Sequence, residues 1–235
     1  MVRRFIADLL GTGRHTSATV RKVGQILTKV MRSSVETGLI ARSPCDGVRL
    51  PAEGRREMRL LTAEQVSKLA AAVEPEWETL VYTAAYAGLR WGQLAGLRPA
   101  RVKLARRTIL VVEQLNELNG RLDCGPPKKA AGCRAVSIPS ALADLLVEQL
   151  ARPMVARSGP VFPTPLGEPM RGSNFARRVW SPATKAFELD GLRFHDLRHS
   201  SVTVTLDRYG HLSDGLDAQV ADSLDSLMRT AREAG

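Results

Sequence analysis

The stretch AYAGLRWGQLAGLR, Ala85–Arg98, decides how the chain is read. It closes an apolar helix that the spacing predicts from about Trp77 to Ala87, and it leaves Gly88-Leu89-Arg90 just beyond that helix. Upstream, Thr62 with Gln65 has the form of a capping box opening a helix through Ala72. Downstream the period changes from helical to alternating. Thr108 to Leu115 is rich in β-formers, Asn119-Gly120 is a hairpin-turn dipeptide, and Ala135 to Ile138 is a short return strand, which together predict a three-stranded sheet inserted among helices. Helices resume over Ser140 to Ala151 and over Ser173 to Phe187, the latter interrupted at Pro182 and closed near Gly191; a last helix is expected over Asp217 to Ala231. The fold class is therefore mainly α with a small antiparallel β-sheet, α+β.

Before this region lies a different kind of segment. Val20, Val23, Leu27, Val30 and Met31 recur at helical spacing between Ser17 and Glu36, with Lys22, Gln25, Lys29 and Arg32 on the other side. The result is an amphipathic helix with a basic outer face, partnered by a shorter one over Val2 to Leu10 that stops at Gly11-Thr12-Gly13. From Pro44 onward, breakers accumulate and Arg55, Arg56 and Arg59 cluster without periodicity. We expect a small helical domain over residues 1–50, a basic linker over 51–60 and a main domain over 61–235.

Charge and cysteines narrow the function. Lys+Arg number 34 against 24 Asp+Glu, a formal charge of +10 that suits a polyanionic partner, nucleic acid first. The excess is uneven: residues 1–60 carry 12 basic and 5 acidic side chains, residues 201–235 only 3 and 6, so the tail is not expected to hold DNA. Cys45, Cys124 and Cys133 form no CxxC pair and leave one over in any disulfide scheme, which favours a reducing cytoplasm. No apolar run reaches the roughly 20 residues of a membrane span, and Asp8 interrupts the segment where a signal peptide is apolar. No DxD, HExxH or CxxC cluster is present, which disfavours two-metal nuclease chemistry.

Four separated pieces carry the chemistry: Gly88-Leu89-Arg90, Pro127-Lys128-Lys129, His195-Asp196-Leu197-Arg198, and Tyr209 followed by Gly210-His211. Singly each has a plain reading, because an arginine after a helix is usually surface, a lysine in a hairpin usually solvated, and a late tyrosine usually core. Trp91, Trp180 and Phe194 read as core aromatics rather than base-stacking platforms. In this order, and against this helix and strand pattern, the set resembles that of the tyrosine recombinases, the phage integrase family. AYAGLRWGQLAGLR is similar to the family's first-arginine box, GPPKKAAGCRAVSIP to its lysine hairpin, FHDLRH to its HxxR box and SSVTVTLDRYGHL to its nucleophile segment.

The resemblance implies a tyrosine recombinase catalytic domain over residues 61–235 and part of a core-binding domain over residues 1–50, closing on double-stranded attachment-site DNA as a clamp and working as a tetramer. It implies site-specific cleavage and rejoining through a 3′-phosphotyrosine, with no cofactor, in a bacterial or phage-encoded cytoplasmic protein associated with the nucleoid. Tyr209 is then the nucleophile, Arg90 and Arg198 bind the non-bridging oxygens, Lys128 is the general acid with Lys129 its alternative, and His195 assists proton movement. His199 is a further candidate, read either as the end of one motif or as the start of the next. Lys22, Lys29, Arg32, Arg55, Arg56 and Arg59 are the expected DNA contacts.

Three departures from the family's pattern bear on activity. Gln93 stands where an acidic residue is usual. Arg198 and Tyr209 are only 11 residues apart, as though intervening helices were excised, and the chain begins late in the core-binding region. Weaker DNA grip is expected, with the order of residues 1–50 depending on the catalytic domain or on DNA. The alternative reading is a prophage-integrase remnant that binds DNA without cutting it.

Overall fold

The computed structural model describes residues 1–52, 59, 61–127, 132–199 and 216–233. The chain divides into two compact units, Met1–Glu57 and Met58–Gly235.

In the first unit, α1 (Val2–Gly11) and α2 (Ser17–Glu36) pack together. Thr16 caps α2, its side chain accepting from the Thr19 N–H. Ile6 and Leu50 both close over Gly24, where a Cβ would lie 2.4 Å from a Leu50 methyl, so residues after Pro44 fold back onto the helices. The Arg21 guanidinium fixes that return by donating to the Pro51 carbonyl at 2.9 Å. Among the described apolar side chains of this unit only Ile6, Val20 and Cys45 are buried, while Phe5, Ile26, Val30 and Leu39 stay exposed.

The second unit is built around α4 (Pro75–Ala87), whose residues are buried on nearly every face. Pro75 starts the helix in its first turn and Gly88, at φ +57°, ends it. Before it, α3 (Ala63–Ala71) opens on the Thr62/Gln65 capping box, with both hydrogen bonds present. After it come α5 (Trp91–Ala95), β1 (Val102–Lys103), β2 (Thr108–Val111), β3 (Gln114–Leu118), β4 (Arg121–Gly125) and β5 (Arg134–Ser137). The strands form two antiparallel sheets, β1-β2-β5 and the hairpin β3-β4, where one three-stranded sheet was expected. The expected strand over Thr108 to Leu115 is broken because Glu113 turns to ion pairs with Arg98 and Arg101, each at 3.3 Å. Asn119 and Gly120, at φ +51° and +75°, make the tight turn of the hairpin.

α6 (Ser140–Leu150), α7 (Gly172–Phe175) and α8 (Ser181–Ala186) follow. A π-turn over Ala176–Trp180 joins the last two, and Pro182 sits in the first turn of α8 rather than breaking a helix. A 3-10 turn, Phe194–His199, leads on, and α9 (Leu216–Glu233) closes the unit, burying Leu224 and Met228 in the common core. Asp225 of α9 accepts the Ala141 N–H at 2.6 Å and so caps α6 from outside. No helix among the described residues is long and apolar enough to cross a membrane.

Candidate functional site

The turn at Gly88 sets the geometry of the site. A left-handed residue ends α4 and lets the chain reverse into α5, which leaves Arg90 as the exposed N-cap residue between the two helices. Its backbone is held by Gln93, whose side chain is 2% exposed and whose Oε1 accepts the Arg90 N–H at 3.0 Å. The amide therefore fixes the backbone of Arg90, as a carboxylate at that position can also do.

The 3-10 turn is fastened to the same place. Arg198 is buried, and its Nη1 donates to the Gly88 carbonyl at the end of α4. Cations are favoured at a helix C-terminus, where the last carbonyls lack intrahelical partners. The bond at Arg198 therefore fastens the 3-10 turn that carries His195 to the end of α4. Asp196 stiffens the turn, accepting from the Arg193 N–H at 3.0 Å and from its guanidinium at 2.9 Å. This hydrogen bond and charge hold the Arg193 pKa above its ordinary value.

Aromatic rings complete the attachment. Phe194 stands edge-on to Trp91 at 5.5 Å, to Phe175 at 5.0 Å and to Trp180 at 5.1 Å, while Trp91 lies tilted on Phe175 at 4.9 Å. Trp91 follows Arg90 and Phe194 precedes His195, so this packing brings the two segments together. Arg90 and His195 both line one groove of about 670 Å³, with Gln93, Gln114 and Asn116. Pro127 and Gly132, which flank residues 128–131, also line it.

Of the expected catalytic residues, Arg90 and His195 thus share a groove, with Arg198 bonded beside it. Lys128, Lys129 and Tyr209 lie outside the described residues, as do Arg55, Arg56 and the side chain of His199. Lys22, Lys29, Arg32 and Arg59 are exposed. Among the described residues, no three His, Cys, Asp or Glu side chains gather as a metal site requires. Sequence reading passed over Gln114 and Asn116. Their side-chain amides bond each other at 2.8 Å, and an i, i+2 pair on a strand is the signal that marks them as facing one way.

Residues 59–208 match the model of the phage integrase family. The chain belongs to the phage integrase family. Its match to the family model ends one residue before Tyr209. Against the ICEBs1 integrase of Bacillus subtilis (strain 168) it is 25% identical over 257 residues, covering 95% of this chain and 69% of that protein. Against the integrase of Mycobacterium phage D29 it is 26% identical over 199 residues, covering 83% of this chain and only 53% of that protein. This integrase-family chain therefore spans between about half and about two thirds of the length of these relatives.

Among solved structures, the Tn1549 transposon integrase in complex with a circular intermediate DNA superposes with a TM-score of 0.74 at 15% identity, over 97% of this chain and 78% of that one. A lambda integrase tetramer bound to a Holliday junction gives 0.56 at 18% identity, over 93% and 62%. The fold is that of the tyrosine recombinase catalytic domain, mainly helical with small antiparallel sheets.

Proposed function

We propose that this integrase-family protein cuts and rejoins double-stranded DNA at specific sites through a 3′-phosphotyrosine. The observation that carries the reading is the shared groove of Arg90 and His195, tied at its edge by the bond from Arg198 to Gly88. The groove's two basic side chains come from segments far apart in the chain. In this reading residues 61–235 are the catalytic domain, residues 1–50 part of a core-binding domain and residues 51–60 a basic linker between them.

The Tyr209 phenolic oxygen attacks phosphorus, the bond from phosphorus to the 5′-oxygen breaks, and the phenol's proton leaves with help from His195. Lys128 supplies a proton to the departing 5′-oxygen. Arg90 and Arg198 donate charge-assisted hydrogen bonds to the non-bridging oxygens as negative charge grows there, a task that suits a planar, always protonated guanidinium. The phosphotyrosine conserves the energy of the broken bond, so attack by a 5′-hydroxyl reseals DNA without an external energy source. The basic side chains Lys22, Lys29, Arg32, Arg55, Arg56 and Arg59 neutralise flanking phosphates, and four copies act together on two duplexes. The protein works on the bacterial nucleoid.

The test is covalent capture. A pool of nicked duplexes with randomised core sequence is incubated with the protein, and adducts are recovered under denaturing conditions. A recurrent sequence in the adducts, lost on Tyr209→Phe, is the expected result. The competing reading is binding without cutting. Salt-sensitive binding with no adduct under any condition replaces the strand-transfer reading with that one.

A further inference from the structure

Strand β3 forms one wall of the groove, and its polar side chains there are neutral. Gln114 and Asn116, both half-buried, line the groove together with Arg90 and His195. The Gln114 Nε2 donates to the Asn116 Oδ1 at 2.8 Å, so each amide holds the other in one orientation. A primary amide carries two N–H donors and an acceptor oxygen. The mutual bond therefore leaves N–H donors on both residues and an acceptor on Gln114 to offer a third group.

The pair is fixed relative to Arg90. A Cβ at Gly92 would lie 2.6 Å from the Leu115 carbonyl oxygen, and one at Gly96 would lie 2.6 Å from the Leu115 nitrogen. Glycine lets α5 lie this close to backbone atoms, so the residue between the two amides is seated on the helix that follows Arg90. Farther along, the Arg171 guanidinium pairs with Glu117 and donates to the Gly120 carbonyl at 2.7 Å, holding the strand and its turn. The amides thus stand on a braced strand, which suits recognition of one geometry.

This wall differs chemically from the residues that meet the phosphate. Arg90 and His195 bring a guanidinium and an imidazole, which suit an anionic oxygen. The amide pair brings no charge, and opposite Asn116 on β4 stands the exposed carboxylate of Asp123, on the same face, which repels a phosphate. Opposite Gln114 is Gly125, where a Cβ would stand 3.9 Å from the Asn116 Nδ2, so the glycine leaves that side of the amides open. Neutral donors and an acceptor at fixed spacing match the edge of a nucleobase.

Resting on the strand-cleavage reading above, which puts DNA in this groove, we infer that Gln114 and Asn116 are specificity-determining residues that read a base edge beside the phosphate met by Arg90. The base that fits is adenine, whose N6 donates to an amide oxygen while its N7 accepts an amide N–H. Contacts to phosphate carry no sequence information of their own, so part of the target preference rests on β3.

The experiment passes the pool of nicked duplexes with randomised core over wild type, Asn116→Asp and Gln114→Ala. Both the duplexes bound in a native gel and those captured as adducts are sequenced. Asn116→Asp is nearly isosteric and still accepts the Gln114 N–H, so the pair's own bond survives while the Asn116 donors are lost. Wild type is expected to enrich adenine about tenfold at about one or two positions beside the nick, and Asn116→Asp and Gln114→Ala to bring this below about twofold, with preferences elsewhere in the core retained. Wild type without an adenine preference beside the nick, or a preference that survives Asn116→Asp, overturns the inference. A loss of preference at every position overturns it too, since that is the mark of a merely structural role. Should Gln114→Ala fail to fold, Asn116→Asp decides alone. Bound duplexes that show the pair-dependent preference while no adduct forms uphold this inference and overturn the strand-cleavage reading.

Discussion

Replacing Gln93 by leucine tests how far the site depends on its backbone. The side chain is 2% exposed and its Oε1 holds the Arg90 N–H at 3.0 Å. Leucine fills nearly the same volume and offers no acceptor. Leaving a partly buried N–H unpaired costs about 1–3 kcal/mol, and water reaching the groove keeps the loss toward the lower half, about 1–2 kcal/mol. For a domain of this size that lowers the melting temperature by about 2–8 °C. If about 1.4 kcal/mol is felt where the guanidinium meets the phosphate, adduct formation slows about tenfold. Calorimetry and single-turnover capture on the same preparation read both effects. Gln93→Glu is the control: a carboxylate accepts the same bond, so the tie survives, but its burial raises the pKa of the new group and costs stability at neutral pH that returns on acidification. A leucine variant that melts within about 1 °C of wild type and forms adduct at the wild-type rate refutes the tie.

Three further outcomes follow from the described contacts. Burial pushes the Asp225 carboxyl up, but the Ala141 N–H, Arg229 and Ser140 together outweigh it and hold the pKa below the usual range. The stabilisation is therefore present above the unfolded value of about 3.9 and disappears as pH falls through the lower folded value. Asp225→Ala should cost about 0.5–2 kcal/mol at neutral pH, and denaturant melts should show its gap to wild type closing in acid; a gap constant with pH counts against the cap. The Tyr86 hydroxyl is buried with no hydrogen-bond partner among the described residues, and burial pushes its pKa to about 12. Tyr86→Phe should be neutral or stabilise by up to about 1 kcal/mol in thermal melts, and a clear loss would reveal a bond. Lys22 and Lys29 lie seven residues apart on α2, about 10 Å along one stripe, and replacing both with alanine should reduce the slope of log affinity against log salt by about 2; an unchanged slope removes them from the DNA contact.

The helices were legible where local rules suffice. Thr62 and Gln65 announce their capping box, α2 keeps its amphipathic period from end to end, and Asn119-Gly120 marks the hairpin. The break between β2 and β3 was not legible, because the run from Thr108 to Leu115 is rich in β-formers on both sides of it and the break comes with Arg98 and Arg101 reaching Glu113. β1 is two residues long, too short for any period to register. Pro182 reads as a breaker by composition, yet the helical run continues through it, widened to a π-helix over Ala176–Trp180 just before it. At the site, the resemblance to the family's motifs singled out Arg90, His195 and Arg198. The Gln93 tie and the glycine contacts of α5 depend on distances between elements, which no local pattern encodes.

The two arginines of the site do unlike work in the fold. Arg90 is exposed at the head of α5, where its guanidinium can meet a phosphate at little desolvation cost. Arg198 is buried, and a buried guanidinium is stable only with polar partners in good geometry; the Gly88 carbonyl is one of them. That bond joins the 3-10 turn to the end of α4, two residues before Arg90 and three after His195. The HxxR spacing thus has a structural consequence besides the chemical one proposed for it: the turn that carries the histidine is anchored through the arginine. Arg198 therefore holds together the frame in which Arg90 and His195 face one groove, and losing its guanidinium removes the frame along with whatever hydrogen bonds it gives to a substrate.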